Sequence, residues 1–208
     1  MLCAFCDRFA SLLLLLLLLL LAPTAEAAGA GRSTLSSRFS AKEQVVVFDA
    51  GSSGTRVHVY DFEWQAGAAR RPVLDAGALP RQELKVRPGL SALSAIDDGA
   101  ERQAATLREF QELLDFVRRF VPAAARKDTP LILKATAGLR MVPPARAEHI
   151  LQAVRTLFLE SEFFFRPHRG WADVIPGNEE AGLAWVAANY LRKTFDRRFD
   201  EVGRMASM

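Results

Sequence analysis

The segment from Val45 to Tyr60 constrains the fold of this chain more than any other. A β-branched apolar run ends at Asp49, a loop of small residues follows, and alternating apolar and polar residues resume after Arg56. This pattern predicts a β-hairpin with strands at 44–48 and 56–62. Most turns rich in glycine and serine are plain surface turns. This segment by itself therefore does not decide whether the turn binds a ligand.

The turn residues are of the kinds that bind phosphate. Glycines permit backbone geometries that other residues resist, and hydroxyls with backbone N–H groups can converge on an anion. The candidates for phosphate binding are Gly51, Ser52, Ser53, Gly54 and Thr55. Asp49, at the strand end, is placed for a divalent cation or its water shell. The segment predicts a site for a metal-bound polyphosphate; the alternative is a tight surface turn with an incidental carboxylate.

The remaining pattern alternates between strands and helices. We predict a loop at 64–79, a third strand at 82–86, a helix begun by Asp97 or Asp98 and ended by Pro122, a strand at 131–133, a helix from Pro144, a strand at 171–175 and a last helix capped by Asn178. A hairpin followed by such crossovers gives an α/β fold, a mixed sheet with helices on both faces.

A second candidate segment follows the strand at 131–133. Ligands of open α/β sheets bind beyond the carboxyl ends of the strands, where this chain has Thr136, Ala137 and Gly138. We expect these three residues to bind phosphate. Arg140 can pair with a phosphate or a carboxylate, whereas a solvated charge or a structural ion pair is the favoured alternative for both Arg140 and Lys134.

Two adjacent carboxylates, Glu179 and Glu180, begin the last predicted helix. Acidic residues in a first helical turn often do no more than interact favourably with the helix dipole. Next to two phosphate-binding segments, however, one of them is a candidate general base for a water molecule that attacks a terminal phosphate.

The N-terminus has the pattern of a secretory signal. Arg8 precedes a leucine run that is too short for a membrane-spanning helix, and Ala25-Glu26-Ala27 is a cleavage signal. We predict a signal peptide at 1–27, a flexible leader at 28–43, and a protein of the secretory lumen or the extracellular space with no stable membrane span after cleavage. An uncleaved signal anchor that tethers the protein to the membrane is the alternative.

Charge and composition exclude other classes of site. The net charge is +3, and no basic cluster lies beside aromatic residues, so we expect no nucleic-acid partner. His149 and His168 lack the spacing of a zinc site. His58, inside the second predicted strand, is expected to have a structural or solvent-facing role.

Four segments together resemble conserved regions of the apyrase family, the nucleoside triphosphate and diphosphate diphosphohydrolases. Asp49–Arg56 is similar to the first region, and 134–140 resembles the second region of the soluble, lumenal or secreted branch. The segment 177–185 resembles the third region, and 88–91 matches a short family signature. These matches occur in the family's order.

The resemblance implies the fold, the reaction and the roles of several residues. The fold would be one lobe of the actin-like, ribonuclease-H-like nucleotidases, at 44–195, followed by a charged tail at 196–208 that is unlike the family. The reaction would be hydrolysis of nucleoside di- and triphosphates to monophosphate and phosphate, with Ca²⁺ or Mg²⁺. Glu180 would be the general base, with Glu179, Arg56 and Arg140 in support. The chain departs from the family in placing Ala181, rather than glycine, after that base.

The family also has a second lobe, which this sequence lacks. We therefore expect weak or no activity from this chain by itself, whether it is a fragment of a longer gene product or a genuine short protein. The alternative is a non-catalytic secreted lobe that binds nucleotide or pairs with a partner through an exposed cleft face.

Overall fold

The computed structural model describes residues 43–65, 71–74, 82–167 and 170–192. The predicted signal peptide at 1–27, nearly all of the leader at 28–43, and the tail at 196–208 lie outside these residues. Within the described part of the chain, no helix is both long enough and apolar enough to span a bilayer.

The described residues contain six strands and six helices. The strands are β1 (Glu43–Gly51), β2 (Gly54–Gln65), β3 (Arg71–Leu74), β4 (Glu83–Val86), β5 (Leu131–Ala135) and β6 (Ala172–Val174). The helices are α1 (Leu90–Leu93), α2 (Gly99–Val117), α3 (Ala123–Arg126), α4 (Ala137–Arg140), α5 (Pro144–Glu160) and α6 (Gly177–Leu191). Helix α6 belongs to a compact unit separate from the one that holds the sheet, Ala22–Ile175.

The strands form one mixed sheet, as the sequence predicts. Its order is β3-β2-β1-β5-β6, and β4 also pairs with β2. The hairpin β1–β2 is antiparallel, whereas β1–β5 and β5–β6 are parallel. Because β1 and β5 run in the same direction, their carboxyl ends lie at the same edge of the sheet.

Helices α2 and α5 pack on one face of this sheet. The face is built by every second residue of β1, and the ring of Phe48 lies 5.5 Å from that of Phe110 and 4.9 Å from that of Phe158. All three aromatic side chains are completely buried. Burial of such side chains contributes about 1.5–3 kcal/mol each, so this contact holds both helices against β1, which carries Asp49 near its carboxyl end.

Most of the predicted elements are confirmed, and three predictions are wrong. Asp98 caps α2 and Pro144 begins α5. The predicted loop at 64–79 contains β3, which pairs with β2 because a long second strand leaves an unpaired edge there. Pro176, rather than Asn178, holds the N-cap position of α6, and Asn178 lies in the first turn of the helix.

The apolar pattern of the last predicted helix favours a core position for Trp185, and this is the third correction. Its side chain is 62% exposed, whereas Leu183 and Ala187 of the same helix are buried. Residues two positions apart lie on nearly opposite sides of a helix, so a buried stripe at 183 and 187 leaves position 185 on the outer side.

Candidate functional site

The hairpin turn consists of the two residues Ser52 and Ser53. Pairing of β1 with β2 continues up to Gly51 and Gly54, so only the two serines lie outside the ladder. Both serines are exposed. The turn thus presents two hydroxyls and its backbone at the carboxyl end of β1.

The segment 88–91 lies directly against this turn. Gly89 has a φ of 108°, and a Cβ atom there would lie 2.7 Å from the Gly54 nitrogen and 3.1 Å from the Gly51 oxygen. Any other residue would be strained in its backbone and would clash with the turn. The backbone of the segment 88–91 therefore contacts the backbone of the turn directly.

The segment 136–140 reaches the same turn from the other side. A Cβ atom on Gly138 would lie 2.9 Å from the Ser52 Cα and 3.1 Å from the Ser91 hydroxyl oxygen. The Thr136 N–H donates to the Ala50 carbonyl oxygen at 3.1 Å, which extends the pairing of β5 with β1. Two segments that are far apart in sequence, 88–91 and 136–140, thus converge on the two-serine turn.

A row of charged residues crosses the sheet beside this turn. Asp49 is in register with Arg56 on one side and with Lys134 on the other, and the row continues to Lys85 and Asp173. Cross-strand partners point to the same face, so the half-buried Asp49 carboxylate lies between two cations.

The two cations beside Asp49 also have structural contacts. Lys134 is only 2% exposed, and its ammonium donates to the Gly170 carbonyl oxygen at 2.8 Å. Arg56 is 8% exposed and forms an ion pair with Glu83 at 3.5 Å. Both side chains therefore have structural contacts, and for Lys134 a structural role is the alternative that the sequence favoured.

Thr55 and Arg140, which were also candidates for contact with phosphate, have other surroundings in the structure. The Thr55 side chain is completely buried on the face that packs against α2, near the Glu109 carboxyl, whose pKa is raised by burial. Its hydroxyl therefore is not presented at the turn surface. The exposed Arg140 donates from Nη1 to the Ile175 carbonyl oxygen at 2.8 Å.

His58 lies on the same face as Asp49 and is 4% exposed. Its ring stacks on Tyr60 with the centroids 5.5 Å apart. Burial, with a smaller effect of the Arg56 charge, lowers the pKa of His58 to about 3. The imidazole is neutral at physiological pH, in agreement with the expected structural role.

Of the described residues, Asp49 is the carboxylate that the sequence assigns to a divalent cation. Among them, no group of three or more histidine, cysteine, aspartate or glutamate side chains could hold a metal ion. Ca²⁺ takes six to eight oxygen ligands, and here one carboxylate lies between two cations. A metal at this edge would take most of its ligands from phosphates and water, with Asp49 reaching it through a water molecule.

Glu179 and Glu180 lie in the first turn of α6 and are half-buried. The Glu180 N–H donates to the Pro176 carbonyl oxygen at 3.0 Å, the first hydrogen bond of the helix. Both carboxylates belong to the compact unit that contains α6, and the turn belongs to the unit that contains the sheet.

Lys85 is a residue of this region that the sequence did not indicate. Its ammonium donates to the Ser53 hydroxyl at 3.0 Å. A lysine in the third predicted strand gives no functional signal, and only the pairing of β4 with β2 brings it to the turn.

Known proteins resemble this chain over most of its length. The chain is 36% identical over 145 residues to the protein named "Probable apyrase 3" of Arabidopsis thaliana, covering 70% of this chain and 28% of that protein. It is 38% identical over 146 residues to the human protein named "Nucleoside diphosphate phosphatase ENTPD5", covering 70% and 31% respectively. The chain thus spans less than a third of the length of these two relatives.

A solved structure shares the fold. It is described as nucleoside triphosphate hydrolases from Neospora caninum, with a TM-score of 0.50 and 18% sequence identity, covering 74% of this chain and 32% of that one. The mixed sheet is thus that of an actin-like nucleotidase lobe, as predicted. The family model for GDA1/CD39 (nucleoside phosphatase) matches residues 38–206, well over half of the chain. The chain therefore belongs to the GDA1/CD39 nucleoside phosphatase family.

Proposed function

We propose that this chain carries the phosphate-binding half of an enzyme that hydrolyses nucleoside di- and triphosphates to monophosphate and phosphate. One observation carries the proposal: three glycine-containing segments, at 51–54, 88–91 and 136–140, meet where the parallel strands β1 and β5 end. Ligands of open α/β sheets bind at this edge. Membership of the nucleoside phosphatase family supports the class of reaction.

The terminal phosphate binds between the turn and the start of α4. Backbone N–H groups in a first helical turn have no partner four residues earlier, so those of Ala137 and Gly138 can donate to phosphate oxygens. The exposed hydroxyls of Ser52 and Ser53 donate from the other side. Such fixed donors stabilise charge that develops on the phosphoryl oxygens during transfer.

Asp49 would hold a Ca²⁺ or Mg²⁺ ion through a water molecule, and such an ion would supply positive charge for the phosphate oxygens. Arg56 and Lys134 are in register beside Asp49, and the Asp49 carboxylate oxygens can accept hydrogen bonds from water molecules bound to the ion.

Glu180 is the general base of the proposed reaction, and it takes a proton from the water that attacks the terminal phosphorus. Glu179 assists this base. Arg56 and Arg140 assist the segments that bind phosphate. The relative named as a nucleoside diphosphate phosphatase and the residues at 134–140 favour diphosphates as substrates.

The test is phosphate release by the purified protein from ADP, GDP and UDP, with Ca²⁺ or Mg²⁺ and at high protein concentration. We expect slow release that EDTA abolishes and that Asp49→Asn and Glu180→Gln each reduce. Glu179→Gln should have the smaller effect. Release from sugar phosphates or polyphosphate but not from nucleotides would overturn the proposal, and full activity in Glu180→Gln would show that the base is another residue.

A second candidate function is a secreted lobe that binds nucleotide without hydrolysing it, or that pairs with a partner. The chain spans 28% and 31% of the lengths of two relatives. Size-exclusion chromatography with light scattering should then show self-association or a complex. A monomer at all concentrations, together with EDTA-sensitive hydrolysis, would exclude this alternative.

Entry into the secretory pathway is part of the same proposal. Expression in cultured cells should yield a secreted protein whose N-terminal residue is Ala28. A protein that stays membrane-bound with its leucine run intact would instead support the signal anchor.

A further inference from the structure

Lys85 lies at the edge of the turn that the proposed phosphate site uses. On β4 it is in register with Arg56 of β2, and it therefore extends the row of charged residues that includes Asp49. Its ammonium donates to the hydroxyl of the exposed Ser53 at 3.0 Å. The cation is thus next to the part of the turn that the proposed phosphate contacts.

The stem of Lys85 lies across the turn. A Cβ atom on Gly54 would be 2.7 Å from the Lys85 Cε, so the glycine leaves the space that this stem occupies. A lysine side chain is flexible and loses rotamer entropy when it is held in one position. Packing across Gly54 holds the ammonium over the turn before any ligand arrives.

The contact with Ser53 is easily exchanged. The pair is exposed, and an exposed hydrogen bond of this kind contributes little to stability. A phosphate oxygen is a stronger acceptor for an ammonium than a neutral hydroxyl is, because the bond is then between opposite charges. The ammonium can therefore move from the hydroxyl to a phosphate with little change in the chain.

A second cation lies beside the same glycine. The Cγ of the exposed Arg87 is 3.4 Å from the position of a Cβ on Gly54. Two cations at one side of the turn complement a ligand with several negative charges better than a monophosphate.

We propose that Lys85 is a phosphate-binding residue of this site and that it favours ligands with two or more phosphates. The inference rests on the proposed function, because it assigns one more contact to the same phosphate site. It adds a residue of β4 to a site otherwise formed by the turn and by α4.

The experiment measures binding of a methylene-bridged nucleoside diphosphate, which cannot be hydrolysed between its phosphates, in the presence of Ca²⁺. Isothermal titration calorimetry compares the wild-type chain with Lys85→Met, Lys85→Arg and Lys127→Met. Lys127 is exposed and lies near the start of β5, at the opposite strand end from the turn, and it is the matched control. Circular dichroism checks that each variant is folded.

We expect Lys85→Met to weaken binding about tenfold, since hydrogen bonds to charged groups contribute at least that factor. Lys85→Arg should recover most of the affinity, and Lys127→Met should bind as the wild type does. The factor lost in Lys85→Met should be larger for the diphosphate analogue than for AMP, and it should shrink at high salt.

The other outcomes overturn the inference in distinguishable ways. If Lys85→Met binds the analogue as tightly as the wild type, Lys85 has no role in binding. If Lys85→Met and Lys85→Arg weaken both ligands by the same factor, Lys85 only shapes the turn. If the wild-type chain does not bind the analogue at all, the proposed function itself is wrong.

Discussion

At the scale of single residues, ionisable side chains are buried on the sheet face that carries Asp49. His58, Arg56 and Lys134 are each less than 10% exposed there, at 4%, 8% and 2%. A charge can be buried only with a partner, and Arg56 and Lys134 have the contacts described above. His58 instead stays neutral, which makes the stability of the fold sensitive to acid.

The first prediction concerns His58. Its pKa is about 3 in the folded protein and 6.5 in the unfolded chain, so the unfolded chain binds more protons between these values. Stability is therefore full above pH 6.5 and is lost as the pH falls towards 3, by at most about 1.4 kcal/mol per pH unit. His58→Phe should flatten this part of the profile.

Urea denaturation from pH 7 to pH 3 measures that profile. His149→Phe, at an exposed position, is the control for exchanging a histidine for a phenylalanine. Equal slopes in wild type and His58→Phe would show that His58 is protonated or solvated in the folded protein.

The second prediction concerns Gly138, where a Cβ atom would lie 2.9 Å from the backbone of Ser52. Gly138→Ala should therefore push α4 away from the turn, destabilise the protein by about 1–3 kcal/mol and weaken nucleotide binding. Gly182→Ala is the matched control, because nothing lies within 4 Å of a Cβ there and alanine is the better helix former. Equal free energies of unfolding for the two variants would contradict the close contact.

At the scale of elements, two adjacent carboxylates at the start of α2 have different tasks. Asp98 accepts a hydrogen bond from the Glu101 N–H at 2.7 Å and caps the helix. Asp97 forms an ion pair with Arg146 at 2.8 Å, and its side chain is 90% exposed. The Asp98 cap gives a partner to an N–H group at the helix end that otherwise has none. The charges of the exposed pair are solvated by water, so their pairing contributes less to stability.

The third prediction follows from this difference. Asp98→Ala should lower the free energy of unfolding by about 0.5–2 kcal/mol, and Asp97→Ala by less than about 1 kcal/mol. Chemical denaturation of the two variants compares them directly. A larger loss from Asp97→Ala would mean that the ion pair to Arg146, rather than the cap, holds the start of α2.

At the scale of the whole molecule, the chain covers 28% of one apyrase relative and 32% of the structure with the same fold. The resemblance to apyrases implies a site between two lobes, and the segments that resemble the family here belong to one of them. A single lobe offers part of the phosphate contacts and leaves them open to water, which weakens every electrostatic interaction in the site.

The fourth prediction is a rate. The chain by itself should release phosphate from nucleoside diphosphates at least about 10³-fold more slowly than a full-length apyrase, since loss of one fixed donor already costs about 10²–10³. Side-by-side assays with Ca²⁺ and equal protein concentrations measure the ratio. Comparable turnover would show that one lobe suffices for catalysis.

The sequence by itself determined the local features of this protein. The period of apolar residues in the hairpin and in α2 and α5 predicted those elements, because side-chain periodicity is a property of the local backbone. The resemblance of four segments predicted the family. The Asp98 cap and the start of α5 at Pro144 were also predictable, since capping depends on a few neighbouring residues.

Only the tertiary structure decided which of these segments meet. The contacts of Gly89 and Gly138 with the turn, the register of Asp49 between Arg56 and Lys134, and the position of Lys85 all depend on strand pairing across long separations in sequence. The burial of Thr55 and the exposure of Trp185 likewise depend on which side of an element is covered. Local sequence patterns carry no information on these pairings, because the free energy that selects them comes from packing of the complete sheet.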